Sequence, residues 1–269
     1  MSDLPPDERL AERWTELRAA GRTALVAYVT AGHPAPAETA AFLRGAAAAG
    51  VDVVELGIPF SDPVADGPVI QASSHAALAA GMTARAALRL LAEAPAQVPV
   101  VVFSYLNPVL AMGPERFARD ARSAGAAGIL IIDLPAGADD AIDRALGAGG
   151  LPLVRLVAPT TPPERQRAVA ARSRGFLYLI ARLGVTGESA EIAAGLGPQI
   201  AALRSRTSLP IAVGFGIGSA EQAVAVGALA DGVVIGSALV ARMARGGARE
   251  ALEWLKTVRA ALDSGPRAA

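Results

Sequence analysis

Two textures alternate along this chain. Eight short runs, at Ala24–Thr30, Val51–Ile58, Val98–Tyr105, Gly128–Leu134, Leu153–Ala158, Phe176–Ala181, Pro210–Phe215 and Gly232–Ile235, are mostly Val, Ile, Leu and Ala, without regular polar alternation. Strands read this way when both faces of their sheet are covered. Between them lie Ala-rich stretches dotted with Arg and Glu at helical spacing, such as Pro36–Ala49, Thr83–Glu93, Pro114–Ala124, Pro162–Arg172 and Ser219–Val226. Several open with Pro, Ser or Thr, as helix starts should, and Gly50, Gly125 and Gly227 stand where helices should close. Strict alternation of strand and helix implies a parallel sheet with right-handed crossovers. Eight such units in about 250 residues match a (β/α)8 TIM barrel. An open doubly wound sheet is the alternative, disfavoured because no linker divides the units. The pattern predicts a single domain over 1–269. An extra helix (Leu10–Ala20, within the region 1–22) precedes the first strand and is placed to cover the barrel floor. Ala248–Leu262 is the last outer helix, and 264–269 is a frayed tail.

Two intervals between strands are longer than one crossover helix requires. One follows the second strand and holds Pro59–Val69; the other follows the sixth and holds Leu183–Pro198. Both fall at the carboxyl ends of strands, the active-site face of a barrel, where long loops usually bind or cover a ligand.

Composition then narrows the chemistry. The 269 residues include no Cys, two His (His33 and His75) and one Lys (Lys256). That excludes a thiol nucleophile, a disulfide framework and a Cys-ligated metal, and argues against a His-rich zinc site. A Schiff base has only Lys256 to draw on, inside a helical pattern. The formal net charge is zero, so no basic footprint points to nucleic acid. No apolar stretch is long enough for a membrane span, and the first 22 residues lack a signal-peptide core, so a soluble cytoplasmic protein is expected. Acid–base chemistry falls to carboxylates.

Glu55 lies in the middle of the second strand. Strand parity puts Val53, Glu55 and Gly57 on one side; if that side faces the barrel interior, Glu55 points into a pocket, with Gly57 leaving room above it. Desolvation would raise its pKa and suit it to proton transfer near neutral pH. Pairing with a helix Arg is the structural alternative. The stiff loop Pro59–Pro68 carries Asp62 and Asp66, either of which could reach the barrel mouth and split acid and base roles with Glu55; both also suit ordinary turns. A second constellation reads as an anion site. Gly214–Ser219 (Gly-Phe-Gly-Ile-Gly-Ser) follows strand seven, and Gly236–Val240 follows strand eight, each opening a helix, and Gly187 could add a donor. Its glycine spacing is not that of a dinucleotide fingerprint. Arg182 ends strand six at the mouth. Tyr178, Tyr105 and Asn107 are equally consistent with binding or structural roles, and structural roles suit His33 and His75 better.

Glu55–Pro68, with the sequence Glu-Leu-Gly-Ile-Pro-Phe-Ser-Asp-Pro-Val-Ala-Asp-Gly-Pro, closely resembles the signature of the tryptophan synthase alpha subunit family. Tyr105–Pro108, Asp133–Pro135, Gly184–Gly187, Val213–Ile217 and Gly236–Ala238 follow in family order, so the resemblance covers nearly the whole chain. It implies a barrel that cleaves indole-3-glycerol phosphate to indole and glyceraldehyde 3-phosphate. Carried over by motif, Glu55 is the general acid/base and Asp66 bonds the indole N–H. Gly187, Gly216, Gly236 and Ser237 hold the phosphate, with Tyr178 and Phe215 also lining the substrate site. Thr186 and Arg182 belong to a closing loop. The family also implies a beta subunit that carries pyridoxal phosphate, in an alpha2beta2 complex, with Asp62 and Pro135 at the partner face and no cofactor in this chain. Departures from the commoner pattern occur at Ala181 and Leu183 beside Arg182, in the run after Pro135 and at His75. Two other readings share the fold: a stand-alone indole-releasing lyase, and a catalytically silent barrel that activates a partner.

Overall fold

The computed structural model describes residues 5–181, 189–214 and 216–266, with the backbone alone for 189–194. Eight strands form: β1 (Ala24–Thr30), β2 (Val53–Gly57), β3 (Val100–Ser104), β4 (Gly128–Ile131), β5 (Leu153–Val157), β6 (Leu177–Ile180), β7 (Ile211–Gly214) and β8 (Gly232–Ile235). Each pairs in parallel with the next, and β8 returns to β1, with Ala24–Ala27 beside Gly232–Ile235. The barrel is closed, which excludes the open sheet.

The helices are α1 (Pro6–Ala19), α2 (Pro36–Gly45), α3 (Pro68–Ala79), α4 (Ala84–Glu93), α5 (Leu106–Met112), α6 (Pro114–Ser123), α7 (Asp140–Ala148), α8 (Pro163–Ala171), α9 (Ser189–Arg204), α10 (Ala220–Gly227) and α11 (Ser237–Ser264), the last kinked at Gly246–Gly247. Their starts are encoded locally. Pro occupies the first turn of α2, α3, α6 and α8. Thr83, Asp139 and Ser219 cap α4, α7 and α10 through their side chains. Gly50 and Gly125 close their turns with φ of 81° and 91°. Gly227 does not close a helix from outside: it is the last residue of α10, where a side chain would collide with Leu262 and Thr23. The long intervals are also only partly loop. The first ends at Gly67, because Pro68 starts α3; the second gives way at Ser189 to α9, whose Ala-rich start favours helix and which contains Pro198.

Strand parity divides the apolar residues into two cores. Leu25, Ala27, Val29, Val54, Leu56, Val102, Leu179 and Val213 point outward and join the helices. Val26, Tyr28, Val53, Val101, Phe103, Leu130, Val154, Tyr178, Ala212 and Val234 point inward and fill the barrel. Both faces are therefore apolar, which is why the runs lack alternation.

The floor is sealed by α1. Leu10, Trp14 and Leu17 form its buried face. Gly128 and Gly232, at the starts of β4 and β8, leave the space that Leu10 and Trp14 enter, and Trp14 packs on Phe176 with ring centroids 5.2 Å apart. Asp52, fully buried, fixes the rim. It accepts from Leu25 N at 2.8 Å and pairs with Arg13 at 2.5 Å, Arg22 at 3.4 Å and Arg259 at 3.3 Å, tying α1 and α11 to β2. Trp14→Ala should destabilise the chain by about 3–5 kcal/mol in urea unfolding, the cost of an emptied aromatic site. A loss below about 1 kcal/mol would mean that the floor is not part of the core.

Candidate active site

Glu55 enters the barrel interior from β2, flanked in register by Tyr28 of β1 and Val101 of β3. It is 1% exposed, and neither carboxyl oxygen has a hydrogen-bond partner among the described residues. Burial pushes its pKa up to about 8. The group therefore carries a proton at neutral pH, the state in which a carboxyl without a counter-charge is tolerated in an apolar interior.

Asp66 reaches the same cavity from the β2–α3 loop. The loop is pinned from several sides. Asp66 N donates to the Pro63 carbonyl, and the Gln71 amide donates to the carbonyls of Pro63 and Asp66. The His75 ring meets the Ser61 carbonyl at 3.2 Å, and Phe60 packs on Tyr105 with centroids 5.1 Å apart. Tyr105 then orients the carboxylate: its hydroxyl accepts from Ala65 N and donates to Asp66 Oδ2, both at 3.0 Å. Burial pushes Asp66 up to about 6, while the Tyr105 bond pulls it down. Tyr105 is braced in turn. Asp133 accepts from Leu106 N at 2.7 Å, and buried Arg155 holds the next residue through the Leu134 carbonyl at 3.3 Å while pairing with Asp143 at 2.6 Å. Two carboxyls thus share one cavity with different proton affinities, the arrangement that separates an acid from a charge stabiliser.

The cavity holds about 220 Å³. Tyr28, Ile70, Phe103, Tyr178 and Val234 form apolar walls around Glu55 and Asp66, and Gly216, Gly218, Gly236, Ser237 and Ala238 form the far end. That end includes the start of α11, where Leu239 N and Val240 N donate to the Gly236 carbonyl, which leaves the amides of Ser237 and Ala238 as the open ones, and where the helix dipole favours an anion. Gly218 N is already engaged by the Gln222 side chain at 2.7 Å. None of the described lining residues is basic, so at this end they offer an anion only backbone N–H groups and the Ser237 hydroxyl.

Residues 14–263 match the family model described as the tryptophan synthase alpha chain. The tryptophan synthase alpha chain of Laribacter hongkongensis is 48% identical over 244 residues, covering 90% of this chain and 92% of that one. This chain belongs to the tryptophan synthase alpha chain family. A further relative, the alpha chain of Gloeobacter violaceus, is 43% identical over 255 residues, covering 94% and 92%. The crystal structure of the alpha subunit from Legionella pneumophila superposes with a TM-score of 0.86 at 32% identity, covering 95% of this chain and 98% of that one. A tryptophan synthase structure from Mycobacterium tuberculosis gives 0.87 at 33%, covering 96% and 99%. As a family member the chain is a lyase of tryptophan biosynthesis that cleaves indole-3-glycerol phosphate, and an alpha chain holds no pyridoxal phosphate of its own.

Of the residues singled out from sequence, Glu55, Asp66, Tyr178, Gly216, Gly236 and Ser237 line the one cavity. Asp62 and Pro135 are exposed on mouth loops away from it, and Asn107 is exposed as well. Arg182, Thr186, Gly187 and Phe215 lie outside the described residues. Tyr28 and Phe103 escaped notice, although inward parity near the mouth end of β1 and β3 marks both. The room expected above Glu55 at Gly57 is not empty: the Tyr28 ring occupies it, and a side chain on Gly57 would overlap the Tyr28 hydroxyl. Gly214 gives Tyr178 the same clearance over β7.

The buried carboxyl has a consequence for stability. Between its ordinary value of 4.5 and about 8, the folded chain binds a proton at Glu55 that the unfolded chain has released. Stability is therefore lost as pH rises across that window. Glu55→Gln escapes the penalty, so its gain in Tm over the parent should be small at pH 5 and larger at pH 8.5. A gain independent of pH would contradict the raised pKa.

Proposed function

We propose that Glu55 and Asp66 divide the cleavage of indole-3-glycerol phosphate between them. The observation that carries this reading is the pairing of a neutral, unpartnered carboxyl with a hydrogen-bonded, more acidic one in a single apolar cavity. Glu55 enters the cycle as the acid and delivers its proton to C3 of the indole ring. The ring becomes a cation, and Asp66, bonded to the indole N–H, balances that charge. The bond between C3 and the glycerol carbon breaks, its electron pair returning to the ring. The carbon left behind becomes the aldehyde as its hydroxyl proton passes to the Glu55 carboxylate, which restores the acid. The substrate's own ring is the electron sink, so the lack of Cys and the scarcity of Lys cost this chain nothing.

The phosphate end is assigned to Gly216, Gly236 and Ser237, with Gly187 as a further donor and the α11 dipole in place of a basic side chain. Tyr178 and Phe215 border the substrate, and Thr186 and Arg182 act in closing the loop after β6. The silent-barrel reading leaves the unpartnered buried acid without a purpose. We assign the whole chain to one barrel domain in the cytoplasm, paired with a beta subunit in an alpha2beta2 complex. Support for the partner face comes from the large exposed apolar side chains among the described residues. Val64, Val69 and Leu110 all stand on segments that follow the carboxyl ends of β2 and β3, the side that also carries Asp62 and Pro135.

For activity, kcat/KM should rise with pH through about 6, as Asp66 ionises, and fall through about 8, as Glu55 loses its proton. Glu55→Gln should lower turnover at least about 100-fold in a folded protein. Asp66→Asn should lower kcat more than it weakens a phosphate ligand. Near-normal turnover in Glu55→Gln would overturn the acid–base assignment. For the partner, adding a beta chain should produce a larger complex by mass measurement and faster cleavage. High rates alone with no complex would favour the stand-alone lyase.

A further inference from the structure

Tyr28 stands directly beside Glu55 in the β1–β2 register, and both side chains enter the barrel. Its ring leans across β2, where Gly57 has no side chain to stop it, and meets Phe103 of β3 edge-on, with centroids 5.3 Å apart and planes at 81°. Gly57 lies two residues nearer the mouth than Glu55, beside Thr30 and Phe103 in the register. The phenolic hydroxyl therefore hangs over β2 on the mouth side of the Glu55 carboxyl. Thr30 is its hydrogen-bonding neighbour on the same strand face. Thr30 is bonded to Ser73 at 2.7 Å, and Ser73 donates to the Ile70 carbonyl at 2.7 Å, which ties this corner of the cavity to α3.

Packing does not account for the hydroxyl. The edge contact with Phe103 and the space over Gly57 need only the ring, which phenylalanine would supply without burying a polar group. What a hydroxyl adds is the ability both to accept and to donate. Glu55 needs both, because it releases one proton and takes up another within a cycle. The titratable groups facing Tyr28 are Glu55, Asp66, Tyr105 and Tyr178. Burial first, and then the Asp66 charge, push its pKa well up, so it stays a neutral hydroxyl throughout.

We infer that Tyr28 is a positioning residue for Glu55. Its hydroxyl is the hydrogen-bond partner that the carboxyl, unpartnered among the described residues, takes up in the substrate complex, holding it at the reacting carbon in both protonation states. This rests on the catalytic reading of Glu55.

The test compares Tyr28→Phe, Glu55→Gln and the double variant in the full chain, with indole-3-glycerol phosphate as substrate. Tyr28→Phe should melt as the parent does, lose about tenfold in kcat, the scale of one hydrogen bond to a charged group, and change KM by less than about twofold. The bond to the carboxylate is the stronger of the two that the hydroxyl makes. Its loss should therefore move the upper limb of the kcat profile to higher pH and leave that of kcat/KM in place. In the Glu55→Gln background the same change should cost nothing further. Tyr28→Leu, which removes the ring too, should in addition raise KM. An unchanged kcat in Tyr28→Phe, or a rise in KM alone, would overturn the inference while leaving Glu55 catalytic. Near-normal turnover in Glu55→Gln would instead remove the reading on which it rests.

Discussion

A carboxyl group enclosed in an apolar barrel without a counter-charge must either stay protonated or destabilise the fold, and the rest of this site follows from that constraint at Glu55. The barrel supplies the desolvation. Its inward residues are mostly Val, Leu, Phe, Tyr and Ala, its floor is closed by Leu10 and Trp14 of α1, and the ring of Tyr28, beside Glu55 in the register, lies over Gly57. The residue just before this strand, three positions earlier, shows the opposite solution. Asp52, equally buried, is met by Arg13, Arg22, Arg259 and a backbone N–H. The acid just before β2 is neutralised to fasten the floor; the acid within β2 is left without a hydrogen-bond partner among the described residues, facing the cavity. Removing partners from Asp52 would weaken the fold, whereas a cation placed beside Glu55 would hold that carboxyl ionised at neutral pH.

Asp66 needs different support because it belongs to a loop. Its carboxylate is placed by Tyr105, which comes from the end of β3. Tyr105 is steadied by Asp133 on the next amide and, through Leu134, by Arg155 on β5. A loop residue thereby inherits the rigidity of three strands. The braces run through Asp133 and Leu134, which adjoin Pro135, one of the mouth residues assigned to a partner. A partner pressing on that segment has a short physical route to the carboxylate.

Much of this is legible in the sequence, for identifiable reasons. Eight runs buried on both faces, separated by helical stretches, have few solutions; parity grouped Glu55 with Val53 and Gly57, and the barrel turns that face inward. Asp62 and Asp66 could not be separated, because both suit turns; the deciding contact, Tyr105 to Asp66, joins residues 39 positions apart. Tyr28 was invisible for a related reason. A glycine two places along the strand from Glu55 reads as open space, and only the neighbouring strand shows that an aromatic ring fills it. Helix α3 carries weak periodicity and is set by Pro68 at its start, α5 begins at the tertiary bond from Leu106 N to Asp133, and α7 begins at the Asp139 cap. The resemblance to the alpha subunit family supplied roles that spacing could not, the indole contact of Asp66 among them.

The proton affinity of Glu55 in the resting protein can be measured directly. Infrared difference spectra between the parent and Glu55→Gln, followed across pH, isolate the carbonyl stretch of this one carboxyl. The band of the protonated acid should persist through neutral pH and fade around pH 8. Its disappearance near 4.5, the ordinary value, would show an ionised group in the empty barrel and contradict the account at its centre.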